Sequence, residues 1–354
     1  MKDRWFHNKI TWFSFVFSLL VIWVHSYNAE LYLGKSPEME IVYRLEHRIG
    51  DGLGQIAVPG FFMISGYLFY RDFTWSRLGE KWNRRIRSVL LPYILWNFLY
   101  YMGYVIGSRL PWMTDVVGKG VIPFDLFTAV DAVINYTYNY VFWYLFQLIL
   151  LILLAPVLYP VLKCVWSRIL FLLFLWYIAA VKKELPFVNA DALIYYSSAA
   201  SLALSKPQWV ERTGKRSQCQ TAAKKETCRQ VLWGLGMIGG ACAVYQAGLR
   251  TAFVPCFVLC RLMAAAGLWM AVPAEGLPEA KDFMCHNFFL YGVHFALVRF
   301  INKAGAQILP PVLAVPLALY FFMPFLVLGI AGIIGRMLRR WVPLVWSLMN
   351  GGRI

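Results

Sequence analysis

Two imidazoles stand out in this 354-residue chain as groups that could do chemistry. His25 lies in VIWVHSYN and His294 in NFFLYGVHFALVRF, so both are set among apolar residues. An imidazole titrates near neutral pH, and it can serve as a general base or as a transient acyl carrier. Titratable groups in apolar segments are costly and indicate function by default. The structural alternatives are a side chain that reaches interfacial water for His25 and a polar contact between helices for His294.

A basic run, RLGEKWNRRIR over residues 77–87, offers a second kind of chemistry. Arg84, Arg85 and Arg87 fall within one helical turn, and planar guanidinium groups suit the geometry of phosphate. A cytosolic phosphorylated cosubstrate is the corresponding ligand. The structural alternative is a charge cluster that only holds the next apolar segment in its orientation.

The composition indicates that helices in a membrane must position these residues. Hydrophobic residues make up 60% of the chain and charged residues 15%, whereas soluble globular proteins carry about 25% charged residues. Too few charges remain to coat a soluble surface, which excludes a water-soluble enzyme and a soluble nucleic-acid-binding protein. The seven cysteines show neither metal-ligand spacing nor a disulfide framework, so no metal site is predicted.

Ten segments approach the roughly 20 apolar residues that a helix needs to cross a bilayer core of about 30 Å. The predicted fold is therefore an all-α, polytopic membrane bundle of about ten transmembrane helices. The predicted spans are residues 10–28, 53–70, 89–107, 140–162, 164–181, 191–205, 231–247, 251–272, 286–302 and 312–334.

The distribution of basic residues predicts the orientation of the bundle. With the amino terminus in the cytoplasm, Lys and Arg concentrate in the cytoplasmic segments, as the positive-inside rule requires. An even number of spans then puts both termini in the cytoplasm. The long polar stretch 206–230 is predicted to be a flexible, basic cytoplasmic loop. Residues 1–354 are interpreted as a single membrane domain.

The motifs also occur in a recognisable order. The span that carries His25 is followed by PGFFMISGYLF, then by the basic turn running into RIRSVLLPYILW, and later by VFWYLFQLILLILLAP and FFLYGVHF. In this order the chain resembles the acyltransferase-3 family of bacterial membrane proteins, which O-acylate the sugars of surface glycans. The resemblance covers nearly the whole chain.

The resemblance implies an O-acyltransferase of the bacterial cytoplasmic membrane. Such an enzyme takes an acyl group, by default acetyl, from cytosolic acyl-CoA and delivers it to a hydroxyl of a glycan or a lipid-linked sugar. Acetyl-CoA is then a cosubstrate, and no bound cofactor and no nucleic-acid partner are implied.

The family's residues map onto particular positions. His25 matches its first-span histidine, and the basic turn before the third span maps to Arg84, Arg85 and Arg87. The Ser-Gly of the second-span motif maps to Ser65 and Gly66. Acyl transfer also needs donors for a tetrahedral oxyanion. We expect them among His294, Tyr291 and Ser65, with His294 as the second catalytic residue and with Ser65, Gly66 and Tyr291 in the substrate pocket.

Two positions depart from the family pattern. Many members carry an arginine eleven positions before the histidine, and that position is Ser14 here. Either Lys9 or another basic group replaces it, or the chain is a divergent or inactive member. Many members also have an acidic residue before the paired aromatic residues of the second span, where this chain has Val58, Pro59 and Gly60. The competing interpretation is a non-enzymatic component of polysaccharide export, a flippase or a scaffold, since intramembrane His and Arg also suit transporters.

Overall fold

The part of the chain that the computed structural model describes, residues 2–36, 38–211 and 220–352, is mostly helical. No strand occurs in those ranges, which confirms the prediction of an all-α protein. Its α-helices are α1 Lys2–His25, α2 Met39–Gly52, α3 Ala57–Tyr70, α4 Leu78–Arg85, α5 Leu91–Gly107, α6 Thr114–Val117, α7 Leu126–Ile134, α8 Trp143–Leu153, α9 Ala155–Lys163, α10 Val165–Ala180, α11 Ala190–Ser205, α12 Pro207–Val210, α13 Gln220–Thr251, α14 Val254–Ala271, α15 Asn287–Ile308, α16 Ala314–Trp341 and α17 Pro343–Met349.

Among the described helices, seven are long and apolar enough to cross a membrane. An eighth span results if Tyr140–Leu153 and Ala155–Lys163, which meet at a 66° bend, are counted together. Proline at position 156, at the start of α9, accounts for this break because it cannot donate a backbone hydrogen bond to α8.

The other two predicted spans correspond to α10 and α11, each with 16 residues. At 1.5 Å per residue such a helix is about 24 Å long, short of the hydrocarbon core. The structure therefore supports a multi-pass membrane protein with seven or eight candidate spans. The count of ten and the cytoplasmic placement of both termini stay predictions.

The prediction of a flexible loop over residues 206–230 is wrong at both ends of that segment. Pro207–Val210 form the short helix α12, and α13 already begins at Gln220. Residues 220–230, QTAAKKETCRQ, are rich in Ala, Lys, Glu and Gln, which have high helix propensity, so the apolar helix extends into this polar segment. Residues 212–219 of the predicted loop lie outside the described residues.

The chain forms two compact units that are interleaved along the sequence. Unit 1 contains Met1–Phe17, Gln55–Trp82 and Leu150–Cys285, and unit 2 contains Ser18–Gly54, Asn83–Ile149 and His286–Ile354. Within unit 1, α13 packs on α14 and α3 packs on α11; within unit 2, α15 packs on α16 and α5 on α7. The interpretation of residues 1–354 as a single domain stays a prediction.

Candidate functional site

His25 is the last residue of α1, and its ring lies in an aromatic environment within unit 2. Its Nδ1 is 3.2 Å from the hydroxyl oxygen of Tyr140. Phe295 of α15 packs edge-on against both rings, with centroid distances of 5.9 Å to His25 and 4.8 Å to Tyr140. Because Nδ1 faces the phenol, Nε2 is the nitrogen of His25 that is left to meet a substrate.

His294 lies beside His25, with ring centroids 5.5 Å apart. It is fully buried, and its Nδ1 is 2.6 Å from the backbone carbonyl oxygen of Tyr291. A carbonyl oxygen only accepts, so Nδ1 carries the proton of the neutral ring and Nε2 carries a lone pair. Among the described residues this buried Nε2 has no hydrogen-bond partner. A neutral His294 thus presents an acceptor to the site, not the donor that the sequence suggested.

The end of α1 is fixed by polar groups directly after His25. The buried carboxylate of Glu46 accepts hydrogen bonds from the backbone N–H groups of Asn28 and Ala29, both at 3.1 Å. The Asn302 side chain donates to the carbonyls of Ser26 and Tyr27 at 3.3 and 3.1 Å. Asn302 lies on α15, two turns beyond His294, so one helix both carries the second imidazole and holds the end of α1.

Tyr291 holds the other side of this site. Its hydroxyl donates a short hydrogen bond to the backbone carbonyl of Val141, and its ring stacks on Phe142 with centroids 5.4 Å apart. Tyr140–Phe142 form a short 3-10 turn ahead of α8. Tyr291 therefore anchors the segment that presents Tyr140 to His25. Since a phenol has one proton, its use on Val141 favours this supporting role over oxyanion donation.

Close packing of α15 on α5 sets the depth of His294. Gly292 lies against the indole of Trp96, and a Cβ at this position would overlap the ring. The Tyr100 hydroxyl donates to the Gly292 carbonyl at 3.1 Å. A glycine is therefore required two residues before His294, because the Trp96 ring occupies the space that a Cβ would fill.

The three arginines lie at the junction of α4 and α5, also in unit 2. Arg84 and Arg87 are exposed and Arg85 is half-buried. Between the two helices Ile86–Leu90 form a π-helical turn. Pro92 explains this turn, because it has no N–H to donate to the Ser88 carbonyl four residues earlier. The role of these arginines in donor binding stays a prediction.

Ser65 and Gly66 belong to α3 in unit 1. Gly66 is buried, and a Cβ there would lie 2.5 Å from the backbone oxygen of Tyr196 in α11. This close approach of two helices is the physical reason for the glycine of the second-span motif. A part for Ser65 and Gly66 in a substrate pocket stays a prediction.

Lys9, the expected replacement for the missing family arginine at Ser14, is also in unit 1. Its Nζ donates to the Trp269 carbonyl at 2.6 Å and lies 4.1 Å from the centre of the Trp269 ring. The side chain is 2% exposed, so its contacts lie within the packed interior of unit 1.

The sequence did not reveal Tyr140, Glu46 or Asn302. Tyr140 precedes an apolar helix in a chain with 20 tyrosines, so the residue type alone does not indicate a functional role. Glu46 falls between the first two predicted spans, whereas the structure buries it in α2. Asn302 lies eight residues after His294, on the same side of the helix, and this spacing is the one sequence feature that could have linked it to the site.

A comparison with known families identifies the family of this chain. A family model described as an acyltransferase domain, Acyl_transf_3, matches residues 8–336. No curated protein and no solved structure matches the chain. The matched range includes both imidazoles and runs through both units. The chain belongs to the acyltransferase-3 family.

Proposed function

We propose that this membrane acyltransferase moves an acetyl group from cytosolic acetyl-CoA to a hydroxyl of a cell-surface or lipid-linked glycan. Membership of the acyltransferase-3 family supports acyl transfer in general. The single observation that carries the finer proposal is the pair of imidazoles, in which His25 is oriented through Nδ1 by Tyr140 and His294 offers an unpartnered Nε2.

His25 Nε2 acts as the general base in this proposal. It takes the proton of the acceptor hydroxyl while the oxygen attacks the thioester carbonyl carbon. The tetrahedral intermediate then collapses, the carbon–sulfur bond breaks, and the imidazolium returns its proton to the leaving thiolate. The products are a glycan ester and free CoA. In an alternative mechanism, Nε2 of His25 first accepts the acyl group from the thioester and then passes it to the acceptor hydroxyl.

The neighbouring side chains divide the remaining work. If the Tyr140 hydroxyl accepts a hydrogen bond from Nδ1–H of His25, the lone pair of that imidazole is on Nε2, where the base is needed. His294 Nε2 accepts a hydrogen bond from the bound acceptor, which helps to align the attacking oxygen. Tyr291 and Phe295 hold the rings that perform these steps.

The basic turn binds the donor in this scheme. Arg84, Arg85 and Arg87 would pair with the phosphates of the adenosine part of CoA, and so they must face the cytoplasm. The proposed setting is the bacterial cytoplasmic membrane, with both termini on the cytoplasmic side. Protease-accessible tags at either terminus should be cleaved only from the cytoplasm, and cleavage from outside would contradict the donor site.

Incubation of membranes with labelled acetyl-CoA and a panel of glycans tests the activity directly. We expect an alkali-labile labelled ester on one acceptor class with the natural protein, and at least about 100-fold less of it with His25→Ala at equal membrane level. Folded protein that labels no glycan across the panel would favour the non-enzymatic export, flippase or scaffold interpretation.

A further inference from the structure

Unit 1 contains a cavity that the proposed chemistry does not use. Its volume is about 700 Å³, which is in the range of small-molecule sites. Helices α1, α3, α11, α13 and α14 contribute to its wall. Representative lining residues are Phe6, Phe13, Phe17, Met63, Trp233 and Trp269.

The shape and the chemistry of the wall favour a hydrocarbon chain. On α1 the lining runs from Phe6 to Phe17, a rise of about 16 Å along the helix axis. Apart from the tryptophans, three lining residues have polar side chains, namely Tyr67, Arg229 and Gln230. Two of them have partners in the protein, because the Tyr67 hydroxyl donates to Glu211 at 2.8 Å and the Gln230 amide donates to the Met270 carbonyl at 3.3 Å.

Polar ligands would be poorly matched by such a wall. A sugar, or the amides of a pantetheine arm, would lose hydrogen bonds to water without replacing them in the cavity. An apolar chain loses nothing comparable and gains from leaving water. The cavity therefore discriminates against both substrates of the proposed transfer and in favour of a lipid tail.

The wall is preformed around Trp269. Its indole N–H donates to the Val210 carbonyl at 3.1 Å, and the buried Lys9 ammonium lies over its ring. Phe13 packs edge-on against the same ring at 5.0 Å, and Phe6 does so at 5.9 Å. These contacts fix one long side of the cavity, which lowers the entropy lost when a chain is bound.

Arg229 is the third polar lining residue, and it indicates the head group. It lies in α13 and is exposed, so its guanidinium can meet a charged group at the edge of the cavity. A guanidinium fork suits a phosphate or carboxylate. A lipid with its anionic head group at Arg229 and its hydrocarbon chain along α1 matches both the charge and the apolar wall of the site.

We propose that this cavity binds one chain of an anionic lipid, with the head group at Arg229. The site is separate in its residues from the imidazole pair, and the proposal does not depend on acyl transfer. A membrane phospholipid and a free fatty acid both have an anionic head group and a hydrocarbon chain, so the test must distinguish these two sources.

The test uses the full-length protein in nanodiscs that contain equal amounts of phosphatidylglycerol and phosphatidylcholine, each with a diazirine in one chain. After irradiation, peptide mass spectrometry should place the label on α1 and α14 residues of the cavity, with phosphatidylglycerol preferred. Native mass spectrometry after mild detergent extraction should show one retained lipid, and its mass distinguishes phospholipid from fatty acid.

Ala266→Trp fills the cavity from α14 and should lower retention and cavity labelling by about tenfold or more. Leu268→Phe, on the same helix but not in the lining, should leave both unchanged. Arg229→Gln should reduce the preference for phosphatidylglycerol by about twofold to fivefold, the effect of one exposed ion pair. Arg250→Gln, at the other end of α13, is its matched control.

Equal labelling of Ala266→Trp and the natural protein would overturn the cavity assignment. Labels spread evenly over the lipid-facing helices, with no retained lipid, would show a bulk lipid contact only. If Ala266→Trp does not fold, the position of the label in the natural protein still decides the outcome. An unchanged lipid preference in Arg229→Gln would overturn the head-group assignment.

Discussion

Removal of the Tyr140 hydroxyl is the most informative perturbation of the proposed site. Tyr140→Phe keeps the ring that packs on Phe295 and deletes only the oxygen that lies 3.2 Å from Nδ1 of His25. If Tyr140 acts by orienting the base, its effect must pass entirely through His25. A double-mutant cycle with His25→Ala separates this action from a general change in packing.

The size of the effect follows from the geometry. A hydrogen bond of this kind contributes about 0.5–1.5 kcal/mol, or roughly 2- to 12-fold in rate. Tyr140 is 54% exposed, so the contact is only partly shielded by protein and the lower half of that range is expected. Loss of the base itself in His25→Ala should lower the rate by about 10²–10⁴-fold.

The assay is the transfer of labelled acetyl from acetyl-CoA to glycan in membranes, with rates divided by the amount of folded protein. We expect Tyr140→Phe to lower kcat by about two- to fivefold and to leave the KM for acetyl-CoA unchanged. In the His25→Ala background the same substitution should have no further effect. Tyr136→Phe, in the same segment, is the matched control and should behave like the natural protein.

Two results would refute this reasoning. If Tyr140→Phe lowers the residual rate of His25→Ala by the same factor as that of the natural protein, the phenol does not act through the imidazole. If His25→Ala itself retains more than about a tenth of the activity, it is not the general base, since base loss costs at least about 100-fold.

Three further substitutions test the supporting structure. Gly292→Ala should lower the melting temperature, because a Cβ would overlap Trp96 and overpacking costs about 1–3 kcal/mol. The control is Gly236→Ala, because a Cβ at that position meets nothing within 4 Å. Equal melting temperatures of the two variants would contradict the prediction. Arg87→Gln should raise the KM for acetyl-CoA by about tenfold, the low end for a charge-assisted hydrogen bond at an exposed site. The KM for the acceptor should stay unchanged. An equal rise in both KM values, or less protein in the membrane, would support a role in membrane topology only. Asn302→Leu should lower kcat and thermal stability together, since it removes two hydrogen bonds worth about 1–3 kcal/mol in sum; a natural kcat would show that the end of α1 is held without it.

The sequence alone determined the helical membrane class, the family and the two imidazoles. Composition was sufficient for the class, because a chain with 15% charged residues cannot cover a soluble surface. His25 and His294 were identifiable because titratable side chains in apolar stretches are costly and therefore rare. The number of spans was harder to predict, because α10 and α11 each have 16 residues. That length does not decide whether a helix crosses the membrane or packs within the protein.

The partners of those imidazoles were decided only by tertiary structure. Tyr140 is 115 residues from His25 in the chain, and Asn302 is 276 residues from Ser26. Helical periodicity states which face of a helix is apolar, but it does not state which other helix will cover that face or at what depth. The tautomer of His294 depends in the same way on the Tyr291 carbonyl that lies within reach of Nδ1, so the lone pair that gives the site its chemistry is a property of the folded backbone.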